Sequence, residues 1–166
     1  MQDIVQGKVW KFGDNVDTDV IVPSIYMNVP VDEMKKHVLE RLRPEFTRDA
    51  CPGDVIVAGA NFGCGSSREQ APVAIKALGI AAVVAESFSR IFFRNAIAIG
   101  LPAITCPQVS AAFQEGDIMN LDVGAATVTN MSTHQTLIAQ PLPKEMLDVL
   151  MKGGIIPMLK ELQRKI

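Results

Sequence analysis

Apolar residues dominate three stretches in the middle of the chain, at 54–60, 80–85 and 101–106, each of strand length. Between them lie two stretches of helical spacing, 66–78 and 88–99, closed by Gly79 and Gly100. A glycine just past the last periodic residue is a common helix stop. Strands alternating with helices in this way predict βαβ units and a parallel sheet with right-handed crossovers. Upstream, residues 9–12 read as a short strand ended by Gly13-Asp14-Asn15, and residues 20–22 as another, closed by Pro23. At 31–43, Met34, Val38 and Leu42 recur every fourth position, with Lys35, Lys36, Glu40 and Arg41 on the wet side. That spacing predicts an amphipathic helix, stopped by Pro44. After Pro107 the texture changes. Short strands at 117–122, 126–130 and 136–140 are separated by Gly, Asn and Ser turns, so they are expected to pair antiparallel. Closing helices are expected at 144–152 and 155–165, broken by Gly153-Gly154. The fold class expected is α/β, with a parallel central sheet and a smaller antiparallel sheet in a single domain over 1–166.

Composition adds little that the pattern lacks. With 166 residues, 48% hydrophobic and 20% charged, the chain is long enough for one well-filled core. A net charge of −2 and no clustered basic face in the first hundred residues argue against nucleic acid. The basic positions Lys160, Arg164 and Lys165 read as a solvated helix end. No window approaches the length of a membrane span. Residues 1–7 have neither the basic nor the apolar stretch of a secretion signal. Three cysteines, Cys51, Cys64 and Cys106, form no Cys-x-x-Cys pair, and an odd count fits a reducing cytoplasm.

Chemistry concentrates at residues 61–68, Asn-Phe-Gly-Cys-Gly-Ser-Ser-Arg. Gly63 and Gly65 permit positive φ and close approach to the backbone, with Cys64 between them as a small thiol. Ser66 and Ser67 stand where helix N-cap residues belong, and free N–H groups there favour an anion. Arg68 adds a forked cation that matches a carboxylate. Together these predict a carboxylate or phosphate site; the alternative is a capped helix with Arg68 in a surface ion pair. Nucleotide readings fail on particulars: Arg68 stands where a dinucleotide fingerprint needs its third glycine, and no Gly-Lys-Ser/Thr occurs. There is no Gly-x-Ser-x-Gly elbow at this turn. His37 and His134 read as structural or solvated. The acids of Asp14-Asn15-Val16-Asp17-Thr18-Asp19 form either a metal loop or turn residues satisfying nearby N–H groups. A calcium hand is ruled out by the missing glycine and closing glutamate.

Three ordered motifs carry a resemblance: residues 13–19, residues 61–68, and Ser87-Phe88-Ser89-Arg90-Ile91-Phe92-Phe93-Arg94-Asn95. Together they resemble the small subunits of 3-isopropylmalate dehydratase, the separate swivelling domain of the aconitase superfamily, over nearly the whole chain. The resemblance implies a swivelling β/β/α domain and a hydro-lyase that moves a hydroxyl to the neighbouring carbon by dehydration and rehydration. It implies a [4Fe-4S] cluster on a large partner subunit, in a heterodimer or heterotetramer, with no cofactor or metal on this chain. By the same resemblance Ser66 is the catalytic base, Ser67 and Arg68 hold a substrate carboxylate, and Asp19 is an acidic active-site residue. A serine hydroxyl needs strongly positive surroundings to act as a base, which a helix start and Arg68 could supply.

In the resembled enzymes a loop after the first motif touches the variable part of the substrate; here it is Tyr26-Met27-Asn28-Val29. Homoaconitases resemble one another in an arginine at the place of Asn28. A neutral Asn28 between apolar Met27 and Val29 suits a branched alkyl substituent better than a third carboxylate. That favours isopropylmalate, with dimethylmalate, citramalate and homocitrate as alternatives, and a non-catalytic carboxylate-binding module as the reading outside enzymes. Gln70 stands where the family usually has histidine, so no proton can be taken up there near neutrality. Arg90 and Arg94 read as structural helix residues.

Overall fold

The structure, a computed structural model, describes residues 3–164. Residue 165, the expected end of the last helix and part of the basic tail, lies outside the described residues, as do the first two positions.

Strand β1 (Ile4–Lys11) is the joint of the architecture. One edge pairs parallel with β2 (Val55–Ala58), bringing Val9 against Val55 and Lys11 against Val57. Its other edge pairs antiparallel with β5 (Ile118–Asp122), from Ile4–Asp122 to Lys8–Ile118. Beyond β2 follow β3 (Ala82–Ala85) and β4 (Ala103–Thr105), both parallel. Beyond β5 follow β6 (Thr127–Asn130) and β7 (Thr136–Ile138), both antiparallel. The order is β4-β3-β2-β1-β5-β6-β7, so the expected parallel and antiparallel sheets are halves of one sheet. β1 starts five residues earlier than its apolar run suggested. Gln6, Gly7 and Lys8 break the hydrophobic pattern, but their backbone still has β5 to bond.

Every residue of β2 and β3 is buried, and alternate side chains feed two cores on opposite faces. Trp10, Ile56, Val83 and Ala85 pack with Phe46, Ile75 and Phe92 on one face. Val9, Val57 and Val84 pack with Val109, Met119, Leu121 and Leu150 on the other. Burial on both faces is why these strands read as continuous apolar runs, whereas β5 and β6 alternate.

The helices are α1 (Thr18–Ile21), α2 (Val31–Met34), α3 (Phe46–Asp49), α4 (Gln70–Ala77), α5 (Arg90–Ala98), α6 (Val109–Ala112), α7 (Lys144–Met151) and α8 (Ile155–Gln163). Two expectations fail before β2. Residues 20–22 were expected as a strand, yet the Asp17 carboxylate accepts from Asp19 N–H at 2.7 Å and caps α1. A short apolar run cannot by itself distinguish strand from helix. The helix expected over 31–43 lasts only through α2 and a 3-10 turn at Lys35–His37. Leu39 then takes φ 57° and donates its N–H to Ile21 O at 2.9 Å. That break lets Val38 and Leu39 both become fully buried.

Candidate active site

Three loops leave the carboxyl ends of β1, β2 and β3, and each carries one motif. In an open parallel sheet that end is where connecting loops diverge and leave room for a ligand. Here the loops are laced side by side. Asn15 N–H donates to Ala60 O at 2.8 Å, Gly63 N–H to Val16 O at 2.8 Å, and Thr18 N–H to Cys64 O at 2.8 Å. The Asp14 carboxylate accepts from Ala60 N–H at 2.7 Å, and Asn61 Nδ2 donates to Asn15 Oδ1 at 3.0 Å. From the third loop, Ser87 O accepts from Phe62 N–H at 3.0 Å and Ser87 Oγ from Asn61 N–H at 2.8 Å. Ser89 Oγ donates to Gly63 O at 2.6 Å. Of the two acids read as turn residues, Asp17 does satisfy a nearby N–H, that of Asp19, while the Asp19 carboxylate does not; Asp14 takes that role as well.

Two glycines are required by this lacing. Gly63 has φ 76°, and a Cβ there would overlap the Phe92 ring; Gly65 has φ 94°, and a Cβ there would overlap the Asp17 carboxylate. Past Gly65 the chain does not enter a helix at once. Ser66 and Ser67 are exposed in a bend, Arg68 N–H donates to Ser66 O at 2.9 Å, and α4 begins only at Gln70. The expectation that either serine is an N-cap is therefore corrected: Glu69 holds the cap position and its side chain makes no capping bond. The third helical residue is Pro72, which has no N–H to offer. The first turn of α4 begins four residues beyond Ser66.

The side chains of this turn reach back to the first loop, Ser66 to Thr18 and Arg68 to Asp19. Thr18, 1% exposed, has its Oγ1 3.3 Å from Ser66 Oγ and donates to Ser66 O at 3.2 Å. The Arg68 guanidinium forms an ion pair with the Asp19 carboxylate through Nη1 and Oδ1, atoms with no further partner among the described residues. So the surface ion pair weighed for Arg68 does form, and it lies within the motif set. Thr18 has no role legible in the first motif; the one local signal is a hydroxyl residue set between Asp17 and Asp19. Burial, and then the Asp17 carboxylate, push the Cys64 thiol above its ordinary range. It stays protonated near neutrality, as suits a turn residue rather than a nucleophile.

The other named residues are more scattered. Met27, Asn28 and Val29 form a turn after the 3-10 segment Ser24–Tyr26, with Asn28 exposed and Val29 packed on the core. Among the described residues no hydrogen bond or ion pair ties this turn to Ser66 or Arg68. Tyr26 stacks on His37 with centroids 3.5 Å apart, and His37 Nδ1 lies 2.7 Å from Glu40 Oε2. His134 is exposed in the turn between β6 and β7. Arg90 and Arg94 are exposed on α5, with no ion pair among the described residues. Among those residues no three His, Cys, Asp or Glu side chains stand together as a ligand set. These donors do not fit an iron–sulfur cluster held by this chain.

Sheet order, two-faced core and laced loops place the molecule in a class: the family described as the aconitase C-terminal domain matches residues 25–109. Within that class the likenesses are close. The chain is 48% identical to 3-isopropylmalate dehydratase small subunit 1 of Methanopyrus kandleri, over 96% of this chain and 95% of that one. It is also 48% identical to the methanogen homoaconitase small subunit of Methanothermobacter thermautotrophicus, over 94% of this chain and 91% of that one. A crystal structure of 3-isopropylmalate dehydratase from Methanocaldococcus jannaschii superposes with a TM-score of 0.91 at 40% identity, covering 96% and 95% of the two chains. The chain belongs to the family of 3-isopropylmalate dehydratase small subunits, hydro-lyase subunits of the aconitase superfamily.

Proposed function

We propose that this chain supplies half of an active site that interconverts 2- and 3-isopropylmalate, the other half coming from a cluster-bearing large subunit. The observation that carries the reading is the lacing of three loops, which sets Ser66 Oγ against Thr18 and Arg68 against Asp19 at one end of the sheet. Arg68, with Ser67 beside it, binds a substrate carboxylate; Asp19 keeps the guanidinium oriented until the substrate arrives. Ser66, as the alkoxide, takes the proton from the carbon next to the carbinol carbon. That electron pair forms the double bond as the C–O bond breaks, and the hydroxyl leaves as water on taking a proton from an acid of the large subunit. Hydration at the other carbon reverses the steps. The Thr18 hydroxyl, 3.3 Å from Ser66 Oγ, favours the ionised form when its one proton turns from Ser66 O to Ser66 Oγ. The [4Fe-4S] cluster of the large subunit supplies Lewis-acid activation of the leaving hydroxyl when bound. Three free thiols agree with a cytoplasmic setting for the pair.

The neutral turn of Met27, Asn28 and Val29 supports an uncharged branched substituent on the substrate. Overall identity does not discriminate here, because a homoaconitase subunit is as similar as a dehydratase subunit. Citramalate and dimethylmalate also carry neutral substituents and form the second reading. Mixing the chain with its large subunit and offering isopropylmalate, citramalate, dimethylmalate and homocitrate separates them. Isopropylmalate should turn over best, and preference for homocitrate overturns the reading of Asn28. Ser66→Ala should lower kcat by roughly 10²–10⁴-fold while subunit binding is unchanged. Full turnover by that variant removes the base from Ser66.

A further inference from the structure

A second cleft, of about 400 Å³, opens beside the catalytic turn at the carboxyl ends of β3 and β4. Arg90 and Arg94, one helical turn apart on α5, line it, and both are exposed without an ion-pair partner among the described residues. Its one acid is already occupied. Glu86 accepts from Gln108 N–H at 2.8 Å and from Ser110 N–H at 3.0 Å, holding the start of α6 with both oxygens. Glu145 shares a neighbouring crevice with Arg94 but forms no ion pair with it. The remaining walls include Phe88, Phe93 and Met146, so the cleft offers two free guanidiniums over an apolar floor.

We propose that this cleft docks a carboxylate-bearing segment of the large subunit, with an apolar side chain seated against Phe88, Phe93 and Met146. This rests on the proposed function, in which a partner must cover the catalytic turn. Charge complementarity sets the chemistry of the segment: two unpaired cations select acids and repel a basic surface. Continuity sets its source, because Ser87 belongs to the cleft wall and also accepts from Asn61 and Phe62 N–H groups in the catalytic loop. A subunit that closes over Ser66 therefore runs directly onto Ser87 and Arg90. A free small acid would be a poor occupant, since exposed cations are screened by salt and it would leave the apolar floor wet. A protein segment buries that floor and shields the pairs from solvent.

The test is calorimetric affinity between the two intact subunits, at low and high salt, with turnover measured at saturating large subunit. Arg90→Glu with Arg94→Glu should weaken the pair roughly tenfold or more at low salt, with a smaller loss at high salt and turnover preserved. Arg41→Glu, at an exposed arginine without an ion pair among the described residues in the turn after the Lys35–His37 segment, should leave affinity unchanged. The milder Arg90→Gln with Arg94→Gln pair, checked by thermal melting, carries the test if charge reversal prevents folding. Unchanged affinity in the double variants overturns the proposal. So does a raised KM at unchanged subunit affinity, which gives the guanidiniums to the substrate, or tight binding of malate by the isolated chain that the variants abolish. Failure of the unaltered subunits to associate at all would instead strike the proposed function.

Discussion

Gly63 and Gly13 lie in adjoining loops of the site yet would receive a methyl group very differently. At Gly63 the added carbon meets the buried Phe92 ring and φ is 76°. Gly13 has nothing within 4 Å of the same position and no positive φ. Gly63→Ala should therefore cost about 2–3 kcal/mol, combining overpacking with left-handed strain. Gly13→Ala should change stability by less than about 1 kcal/mol. Urea titration of both variants checks the contrast, and equal costs would show that the turn can relax around Phe92. At the same scale, the Asp19–Arg68 pair is not a stability device. Asp19 is half exposed, so solvent screening leaves the pair worth little to folding.

Helix α5 meets the turn at residues 61–68 through the Phe62–Phe92 ring contact and through the hydrogen bonds of Ser89. Ser89 Oγ accepts from Phe92 N–H at 3.3 Å, capping the helix, and donates to Gly63 O at 2.6 Å. Ser89→Ala should cost about 1–2 kcal/mol as a lost cap. It should also lower turnover of the reconstituted enzyme, because Gly63 loses its anchor. A stability loss with unchanged turnover would confine Ser89 to the helix. Element by element, legibility followed the locality of the signal. The parallel strands announced themselves because both faces are buried, and β5 to β7 because one face alternates. The helix over 31–43 misled because its apolar spacing continues past Met34, while Leu39 is claimed by Ile21 O. Ser66 and Ser67 looked like N-caps because their residue types fit that role. What won instead was a contact with Thr18, 48 positions away. The roles of Ser66, Arg68 and Asp19 could be proposed from motifs; their partners could not, because partners across loops carry no local spacing.

Over the whole molecule, stability should respond to alkali through one buried thiol. Burial, with Glu86 contributing, pushes Cys106 from 9.0 up to about 11. The folded chain keeps the proton while the unfolded chain releases it. That contribution is therefore intact below pH 9 and lost as pH rises towards 11, by on the order of 2–3 kcal/mol. Cys106→Ala should flatten the fall between those pH values in urea titrations, and an unchanged slope would assign the loss to other groups. Finally, the position of β1 has a consequence for the order of assembly. The first strand in the sequence sits inside the sheet, bonded on one edge to residues 55–57 and on the other to residues 118–122. Both pairings close long loops, and such non-local contacts slow folding because chain entropy is lost before the bonds form. During synthesis β1 can meet β2 while the antiparallel half is still being made. The segment that leaves the ribosome early is thus among the last to complete its hydrogen bonding.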